Sequence, residues 1–290
     1  MAGILDLVGN TPMAELKKLS PHPGVRIFAK LEGNNPAGSV KDRPALNMIK
    51  SALERGDIKT DTKLVEATSG NTGIALAMIA SLYGLEIELV MPASSTRERT
   101  LAMEAFGAKV TLLENIETCR DYAEEKGTRN GYFLLNQFAN PDNYLAHYKS
   151  TGPEIWNDTQ HGITHFVSAM GTTGTIIGCS MFLKERNPLV QIIGCQPTEE
   201  ASIPGIRRWP AAYLPKIYDP KRVDRIMDIS QQEATDTTRR LARKEGIFAG
   251  MSSGGAAAAA IRLAAELDTG VIVFIVCDRG DRYLSSNLFG

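Results

Sequence analysis

The sequence lacks several features that mark whole classes of protein. No apolar run approaches the ~20 residues that a bilayer-spanning helix needs. The N-terminal segment has no basic stretch followed by a long apolar one, as a secretory signal would have. An excess of one charge sign is also missing, because 32 basic residues stand against 33 acidic ones. We therefore expect a cytoplasmic protein with no nucleic-acid or membrane partner.

Cysteine is scarce and widely spaced. The four cysteines are Cys119, Cys179, Cys195 and Cys277, and none forms a C-x-x-C pair. This spacing argues against a disulfide framework and against a zinc site, so we expect no metal.

What the chain does contain is an alternation of β-rich and helical segments over 290 residues. The predicted strands are Arg26–Leu31, Lys63–Ala67, Glu86–Met91, Lys109–Leu113, Thr164–Ser168, Gln191–Gly194 and Val271–Val276. The predicted helices include Pro44–Arg55, Gly73–Tyr83, Arg97–Phe106, Thr175–Glu185 and Gly255–Leu267. The alternation predicts a doubly wound α/β architecture. We place a domain seam near Asn140–Asn143 and a long loop between Pro204 and Pro220.

Four segments rich in Gly, Ser, Thr or Asn are each predicted to join a strand end to a helix. They are Gly38–Arg43, Thr68–Gly73, Gly171–Thr175 and Gly250–Gly254. Helix N-termini present unpaired N–H groups and therefore hold anions. Gly171–Thr175 suits a phosphate better than it suits an ordinary strand–helix turn, and it is neither a Walker loop nor a dinucleotide-binding fingerprint. Thr68–Gly73 suits either a carboxylate or an ordinary helix cap.

The segment Gly250–Gly254 also matches the G-x-S-x-G pattern of serine hydrolases around Ser252. That fold needs an acid and then a histidine after the serine. The four histidines, His22, His147, His161 and His165, all precede Ser252. The required order fails, so the hydrolase interpretation is disfavoured.

Lys41 is ambiguous from position alone. Ser39 is a plausible N-cap, which would put Lys41 in the first helical turn, where a positive charge opposes the helix dipole. The side chain is then either a solvated surface lysine or an amine of lowered pKa that can form a Schiff base.

Together these motifs resemble the fold-type II enzymes that use pyridoxal 5'-phosphate (PLP), the tryptophan synthase β-like fold. Asn34–Arg43 resembles the segment that carries their PLP lysine, Thr68–Gly73 their substrate-carboxylate loop, and Gly171–Thr175 their phosphate cup. Ser252 resembles the serine that faces the pyridine nitrogen, and Val8–Pro12 resembles their usual opening. The motifs occur in the order of the family and cover nearly the whole chain.

Within the cysteine synthase/cystathionine β-synthase family, the chain is similar to the B-type O-acetylserine sulfhydrylases. The residues that carry this similarity are Gly171–Thr175, the loop Ile206–Pro210 and Cys277–Tyr283. The resemblance implies a homodimer with its active site in the cleft between two doubly wound α/β domains. We expect the smaller domain at residues 36–144 and the larger, phosphate-binding domain at residues 1–35 and 145–290.

The resemblance also implies a role for each site residue. Lys41 would hold PLP as a Schiff base and act as the catalytic base. PLP would further contact Asn71, Gly171, Thr172, Thr173, Gly174, Thr175 and Ser252. The substrate would contact Thr68, Ser69, Gly70, Thr72, Gln137, Arg207 and Arg208. The implied reaction is a ping-pong β-replacement through an α-aminoacrylate intermediate, with O-acetylserine as donor and sulfide or thiosulfate as nucleophile.

Several points stay open at this level. Arg207 and Arg208 suit an anionic substrate, a surface contact or a dimer contact, and Cys277 either lines the site or only fills space. O-phosphoserine is an alternative donor. The rival functions are a serine or threonine dehydratase of the same fold, and a catalytically silent binding protein.

Overall fold

A computed structural model of the protein describes residues 3–21, 23–68 and 70–290. The strands in these ranges are β1 Met13–Glu15, β2 Val25–Leu31, β3 Lys63–Ala67, β4 Glu86–Pro92, β5 Lys109–Leu113, β6 Tyr132–Leu134, β7 His165–Ala169, β8 Gln191–Pro197, β9 Arg225–Ile229 and β10 Gly270–Val276. The α-helices are α1 Asp42–Arg55, α2 Asn71–Leu82, α3 Arg97–Ala105, α4 Ile116–Gly127, α5 Pro141–Ala146, α6 Gly152–Asp158, α7 Gly174–Arg186, α8 Gln231–Arg240 and α9 Met251–Ala264.

The strands form two sheets. The larger has the order β1-β2-β10-β7-β8-β9, and the smaller has the order β5-β4-β3-β6. Every pair is parallel except β1 with β2 at one edge of the larger sheet. Parallel strands need crossover connections, which the helices provide, so the predicted α/β class is confirmed.

Strand β10 shows why its sequence is continuously apolar. Ile272 and Phe274 pack into a core on one face of the larger sheet, whereas Val273 and Ile275 pack into a core on the other face. Successive side chains of a strand point to opposite faces, so a strand covered on both sides needs apolar residues at every position. Helix α2 is also covered on all sides: its residues Thr72–Ala80 are all buried, and a helix that is buried all round needs apolar or small residues on every face.

The predicted strands are all present with small shifts of their ends. Three strands were missed, β1, β6 and β9. The first two have three residues each, too few to show a period. Strand β9 lies at a sheet edge and has a mostly exposed, charged face, so it lacks the apolar run of a central strand.

Several helix starts differ from the sequence expectation. Helix α1 begins at Asp42 with Lys41 at the N-cap position, so the prediction of Ser39 as N-cap is wrong. Helix α9 begins at Met251, four residues before the predicted start, because the Gly-Ser segment is itself the first turn. The segment Asn140–Asn143, where a domain seam was predicted, is the start of helix α5. The Asn140 side chain is its N-cap and accepts a hydrogen bond from the Asp142 N–H.

The glycine-rich segments meet at one place, although not all of them follow a strand directly. Thr68–Gly73 follows β3 and Gly171–Thr175 follows β7, as predicted. Gly38–Arg43 instead follows a 3₁₀ turn, and Gly250–Gly254 follows an isolated bridge between Ala249 and Arg279. A second bridge joins Ser39 to Asp278, just after β10, and brings the Lys41 segment to the carboxyl ends of the strands. Ligands of α/β sheets bind at that edge.

Candidate active site

A cavity lies where these segments meet. Its lining includes nine of the residues predicted for the site: Lys41, Asn71, Thr72, Gln137, Gly171, Thr172, Thr175, Arg207 and Ser252. Five others, Thr68, Gly70, Thr173, Gly174 and Arg208, do not line it. Ser69 lies outside the described residues. The lining also contains Arg99, Phe138, Trp209, Cys277 and Tyr283. Of these, Trp209, Cys277 and Tyr283 belong to segments that carry the resemblance, whereas Arg99 and Phe138 were not predicted for the site.

Lys41 presents an amine with no hydrogen-bond or ion-pair partner in residues 3–21, 23–68 and 70–290. Burial lowers the pKa of this amine below its ordinary value, although Cys277, Asp278 and Glu32 act in the opposite direction. A partly desolvated amine without a partner is a ready nucleophile and base. The environment therefore favours the Schiff-base interpretation over a solvated surface lysine.

The Lys41 segment is held by Asp42, a fully buried carboxylate. It accepts hydrogen bonds from the backbone N–H of Ala37 (2.5 Å) and from that of Ser39 (3.3 Å). The Ser39 hydroxyl accepts a hydrogen bond from the Lys41 N–H at 3.2 Å. Ser39 thus supports the turn before the helix, which is a different role from the N-cap predicted for it.

The Thr68–Gly73 segment is stabilised by its own threonine. The Thr68 hydroxyl accepts hydrogen bonds from the N–H groups of Gly70 and Gly73, both at 3.1 Å. Gly70 has φ +147°, which L side chains rarely adopt, and a Cβ there would lie 2.7 Å from Arg99 Cδ. Glycine is required at this position, and the hydroxyl of Thr68 serves the turn.

Thr72 and Gln137 form a polar wall beside this segment. The Thr72 hydroxyl donates to Gln137 Oε1 at 2.8 Å, and Gln137 Nε2 donates to the carbonyl of Ala67 at 2.6 Å. Behind them the buried Glu66 carboxyl accepts from the Gln137 N–H. Burial raises the pKa of Glu66 to about 8, despite the backbone hydrogen bonds from Gln137 and Asn136. Nothing in the sequence marked Glu66, which lies within a continuous strand.

The turn before helix α7 has the character of an anion site. Thr173 adopts a left-handed conformation with φ +71°, which is rare for a branched residue. Within the described part of the chain, its buried hydroxyl oxygen has no hydrogen-bond partner. The Thr172 hydroxyl accepts from Asn143 Nδ2 at 3.2 Å, and a Cβ on Gly174 would lie 2.0 Å from Asn143 Oδ1. An unpaired hydroxyl at the start of a 13-residue helix fits a phosphate group.

Thr175, one turn further, is linked to a histidine that the sequence did not indicate for this role. The fully buried His147 ring contacts the Thr175 hydroxyl through Nε2 (3.3 Å) and the Thr151 hydroxyl through Nδ1 (2.9 Å). Burial lowers the pKa of His147 well below its ordinary value, and the charges of Arg43 and Lys41 add to this effect. A neutral ring has one donor and one acceptor nitrogen, so it can bridge two hydroxyls.

Ser252 lies in the first turn of helix α9 and is almost fully buried. The neighbouring Ser253 hydroxyl accepts a hydrogen bond from the Cys277 N–H at 2.9 Å. Burial raises the pKa of the Cys277 thiol to about 11, so the thiol is neutral at physiological pH. Cys277 lines the cavity as an uncharged group. The other three cysteines are fully buried.

The loop Ile206–Pro210 brings one of its two arginines to the cavity. Arg207 lines it, and burial lowers the pKa of its guanidinium. Arg208 instead donates to the Pro197 carbonyl (2.9 Å) and to Asp228 (2.7 Å), which draws it away from the cavity. Trp209 also lines the cavity, and its indole N–H donates to the Gly171 carbonyl at 2.7 Å.

Asn71 occupies the first position of helix α2 and faces the cavity. Its amide nitrogen donates to Asp278 Oδ2 at 2.7 Å, and its amide oxygen accepts from Arg282 at 2.5 Å. The predicted cofactor contacts Lys41, Asn71, Thr175 and Ser252 therefore share one cavity with the turn before helix α7.

The described ranges contain no cluster of three or more His, Cys, Asp or Glu side chains that could hold a metal ion. No helix within them is long and apolar enough to span a membrane.

The comparisons with known proteins agree with this geometry. The family model described as "Pyridoxal-phosphate dependent enzyme" matches residues 4–278. The chain is 59% identical over 289 residues to the cysteine synthase B of Pseudomonas aeruginosa, covering 99% of this chain and 97% of that protein. It is 54% identical over 293 residues to the cysteine synthase B of Escherichia coli, covering 100% of this chain and 97% of that protein. The crystal structure of a cysteine synthase from Entamoeba histolytica superposes with a TM-score of 0.93 at 37% identity, covering 100% of this chain and 90% of that one.

Proposed function

The chain belongs to the family of pyridoxal-phosphate-dependent enzymes, and on that premise we propose that it makes L-cysteine from O-acetyl-L-serine and sulfide. It is then a transferase of cysteine biosynthesis, and PLP is its cofactor. The observation that carries the proposal is the unpartnered, desolvated amine of Lys41 in the same cavity as the anion-binding turn before helix α7. An aldehyde cofactor with a phosphate group needs both.

The residues of the cavity fit the cofactor. Lys41 would hold its aldehyde carbon, and Gly171–Thr175 would bind its phosphate through backbone N–H groups and the free hydroxyl of Thr173. Ser252 would face the ring nitrogen with a hydroxyl, and Asn71 would face the ring hydroxyl. When bound, the cofactor supplies an electron sink for the bonds at the substrate Cα.

The amino-acid substrate carries a carboxylate, for which the N-terminus of helix α2 is suited. We assign its recognition to Thr68, Ser69, Gly70, Thr72 and Gln137. Thr68 accepts two backbone N–H groups and keeps its own proton free to donate. Thr72 and Gln137 are already hydrogen-bonded to each other, which fixes them in place before the substrate arrives.

Lys41 would move the reacting proton. Its Nζ would take the proton from the substrate Cα, and the acetate would leave from Cβ with the electron pair of the broken C–O bond. The same atom returns the proton after the sulfur nucleophile has added to Cβ. The lowered pKa of Lys41 favours the free-base form that the first step requires.

The second substrate includes, in our proposal, thiosulfate as well as sulfide. The guanidinium of Arg207 at the cavity wall suits an anion. Arg208 is occupied by Asp228 and Pro197 and is left to a structural role in this proposal. The neutral thiol of Cys277 would not repel an anion.

The remaining proposals concern assembly and location. We propose a homodimer that works in the cytoplasm on small-molecule substrates, with residues 36–144 as one domain and residues 1–35 with 145–290 as the other. The two-sheet topology supports the division, because every strand of the smaller sheet lies within residues 36–144.

The test is an absorbance scan of the purified protein, with product analysis. The protein should show a visible cofactor band that changes when O-acetylserine is added and returns when sulfide is added, with cysteine as the product. The Lys41→Ala variant should bind cofactor without turnover. Release of pyruvate or 2-oxobutanoate instead of cysteine would establish a dehydratase. A change with O-phosphoserine alone would move the donor assignment to the phosphate ester.

A further inference from the structure

The side-chain amide of Asn71 is held from two sides by one short segment of the chain. Asp278 and Arg282 both come from the stretch that follows strand β10, more than 200 residues away in the sequence from Asn71. Asn71 Nδ2 donates to Asp278 Oδ2 at 2.7 Å, and Asn71 Oδ1 accepts from Arg282 Nη1 at 2.5 Å.

These two partners fix which way the amide faces. A guanidinium can only donate, so the atom of Asn71 that faces Arg282 must be the oxygen. An ionised carboxylate can only accept, so the atom that faces Asp278 must be the nitrogen. A flipped amide would set donor against donor and acceptor against acceptor.

Each partner is itself anchored. Asp278 is fully buried, and the same oxygen that binds Asn71 also accepts the hydroxyl of Tyr283 at 2.7 Å. Arg282 reaches the Ala37 carbonyl with its second terminal nitrogen. We call Asp278 and Arg282 together the clamp. Ala37 belongs to the segment that leads to Lys41, so the clamp contacts both the Asn71 segment and the Lys41 segment.

We propose that Asp278 and Arg282 are positioning residues that hold the Asn71 amide with its remaining N–H directed into the cofactor cavity. Asn71 Nδ2 has two hydrogens, and Asp278 takes only one of them. The other is available for the ring hydroxyl of the cofactor. This inference rests on the proposed function, because it concerns the contact between Asn71 and that cofactor.

The test measures the visible band of the cofactor-loaded protein as a function of pH. Asn71→Ala should move the pH midpoint of the band by roughly half a unit or more, as expected for the loss of one hydrogen bond to a titrating group. Asp278→Asn and Arg282→Met should each move the midpoint in the same direction as Asn71→Ala does.

A double-mutant cycle separates positioning from other effects. If Arg282 acts through Asn71, the Arg282→Met substitution should produce no further shift in the Asn71→Ala background. For Asp278→Asn the shift should only diminish in the Asn71→Ala background, because the charge of Asp278 also acts directly on Lys41. A shift that persists undiminished without Asn71 would overturn the inference, because it would show a direct electrostatic effect.

Arg279→Met is the matched control. Arg279 lies in the same segment, is exposed and, among residues 3–21, 23–68 and 70–290, forms its ion pair with the exposed Asp281, so the midpoint should stay unchanged. If Asp278→Asn does not fold, the midpoint shift of Arg282→Met, with and without Asn71, tests the inference by itself. A wild-type band that responds to O-acetylserine, together with clamp variants of unchanged midpoint, would overturn the clamp and leave the proposed function standing. The absence of any band in the wild-type protein would overturn both.

Discussion

At the scale of single residues, the site depends on desolvated groups that lack partners among the described residues. The amine of the half-buried Lys41 and the buried hydroxyl of Thr173 are two such groups. Removing a polar group from water costs free energy unless a partner compensates, so an unpaired buried group indicates that a ligand supplies the partner.

Glu66 gives a prediction about pH. Its pKa is raised from 4.5 to about 8, so the folded protein binds a proton there that the unfolded chain releases above pH 4.5. The stabilising contribution is complete below pH 4.5 and is lost as the pH rises through about 8. As the pH rises from 5 to 8, the wild type should lose free energy of unfolding and Glu66→Gln should not. The difference between the two proteins should therefore grow in favour of the variant, by at most about 1.4 kcal/mol per pH unit. Urea unfolding at pH 5, 6.5 and 8 measures this, and a difference that is constant with pH would contradict it.

His147 gives a prediction about cofactor retention. If its ring orients the Thr175 hydroxyl toward the phosphate, His147→Leu should weaken cofactor binding about tenfold, the equivalent of one hydrogen bond. Dialysis against cofactor-free buffer, followed by the visible band, measures the loss. His165→Gln is the control, since His165 lies at the start of β7 and does not line the cavity. The pKa of His147 lies well below 6.5, so its ring stays neutral between pH 6 and 8. Titration of His147 should therefore cause no change in cofactor binding by the wild type over that range.

At the scale of elements, the sequence was most informative where the residues of one short segment by themselves indicate its structure. The run Val271–Val276 was predicted as a strand covered on both faces, and the four Gly-rich segments could be predicted to converge at strand ends. The helix starts were harder to predict. Gly250–Gly254 has loop composition, yet helix α9 begins at Met251 because its small residues are buried against the core.

The sequence could not reveal contacts between distant segments. The bridge of His147 to Thr175 and the clamp of Asp278 and Arg282 on Asn71 leave no periodic pattern. Arg208 shows the converse: beside Arg207 it looked like half of a pair, but its guanidinium donates to Asp228 and to the Pro197 carbonyl instead. Such contacts are set by tertiary packing, which no local window contains.

The start of helix α7 gives a prediction at this scale. Gly174→Ala would place a methyl group 2.0 Å from Asn143 Oδ1, so the turn before the helix must shift. We expect the purified variant to lose roughly nine-tenths of its bound cofactor, because the N–H groups of the turn would no longer converge on the phosphate. Gly3→Ala is the control, since a Cβ there has only an ordinary contact at 3.7 Å. Full cofactor content in Gly174→Ala would argue against the phosphate assignment.

At the scale of the whole molecule, a buried charge network joins the N-terminal segment to helices α1 and α6. Arg43 binds Glu32 at 2.7 Å and Glu154 at 2.6 Å, and the buried Lys30 binds Glu154 at 3.0 Å. Burial alone would raise the pKa of Glu154, but Arg43 and Lys30 lower it to about 2.

Removing one charge of this network should be costly, because its partners would stay buried. We expect Glu154→Gln to lower the free energy of unfolding by about 3 kcal/mol at pH 7. The loss should shrink as the pH falls from 4.5 towards 2, where the wild-type carboxylate itself becomes protonated. Urea unfolding tests both points. Glu266→Gln, which breaks the exposed pair with Arg225, should change stability by less than about 1 kcal/mol.

The hydrogen bond from Trp209 to Gly171 has an optical consequence. Only two tryptophans exist in the chain, and the other, Trp156, is stacked on His161 and does not line the cavity. Because the indole N–H of Trp209 donates to the turn before helix α7, its emission should change if that turn binds an anion or if a cofactor ring enters the cavity. Fluorescence of the native protein would therefore record each ligand as it enters, without any label, and Trp209→Phe, which keeps only the emission of Trp156, is the reference.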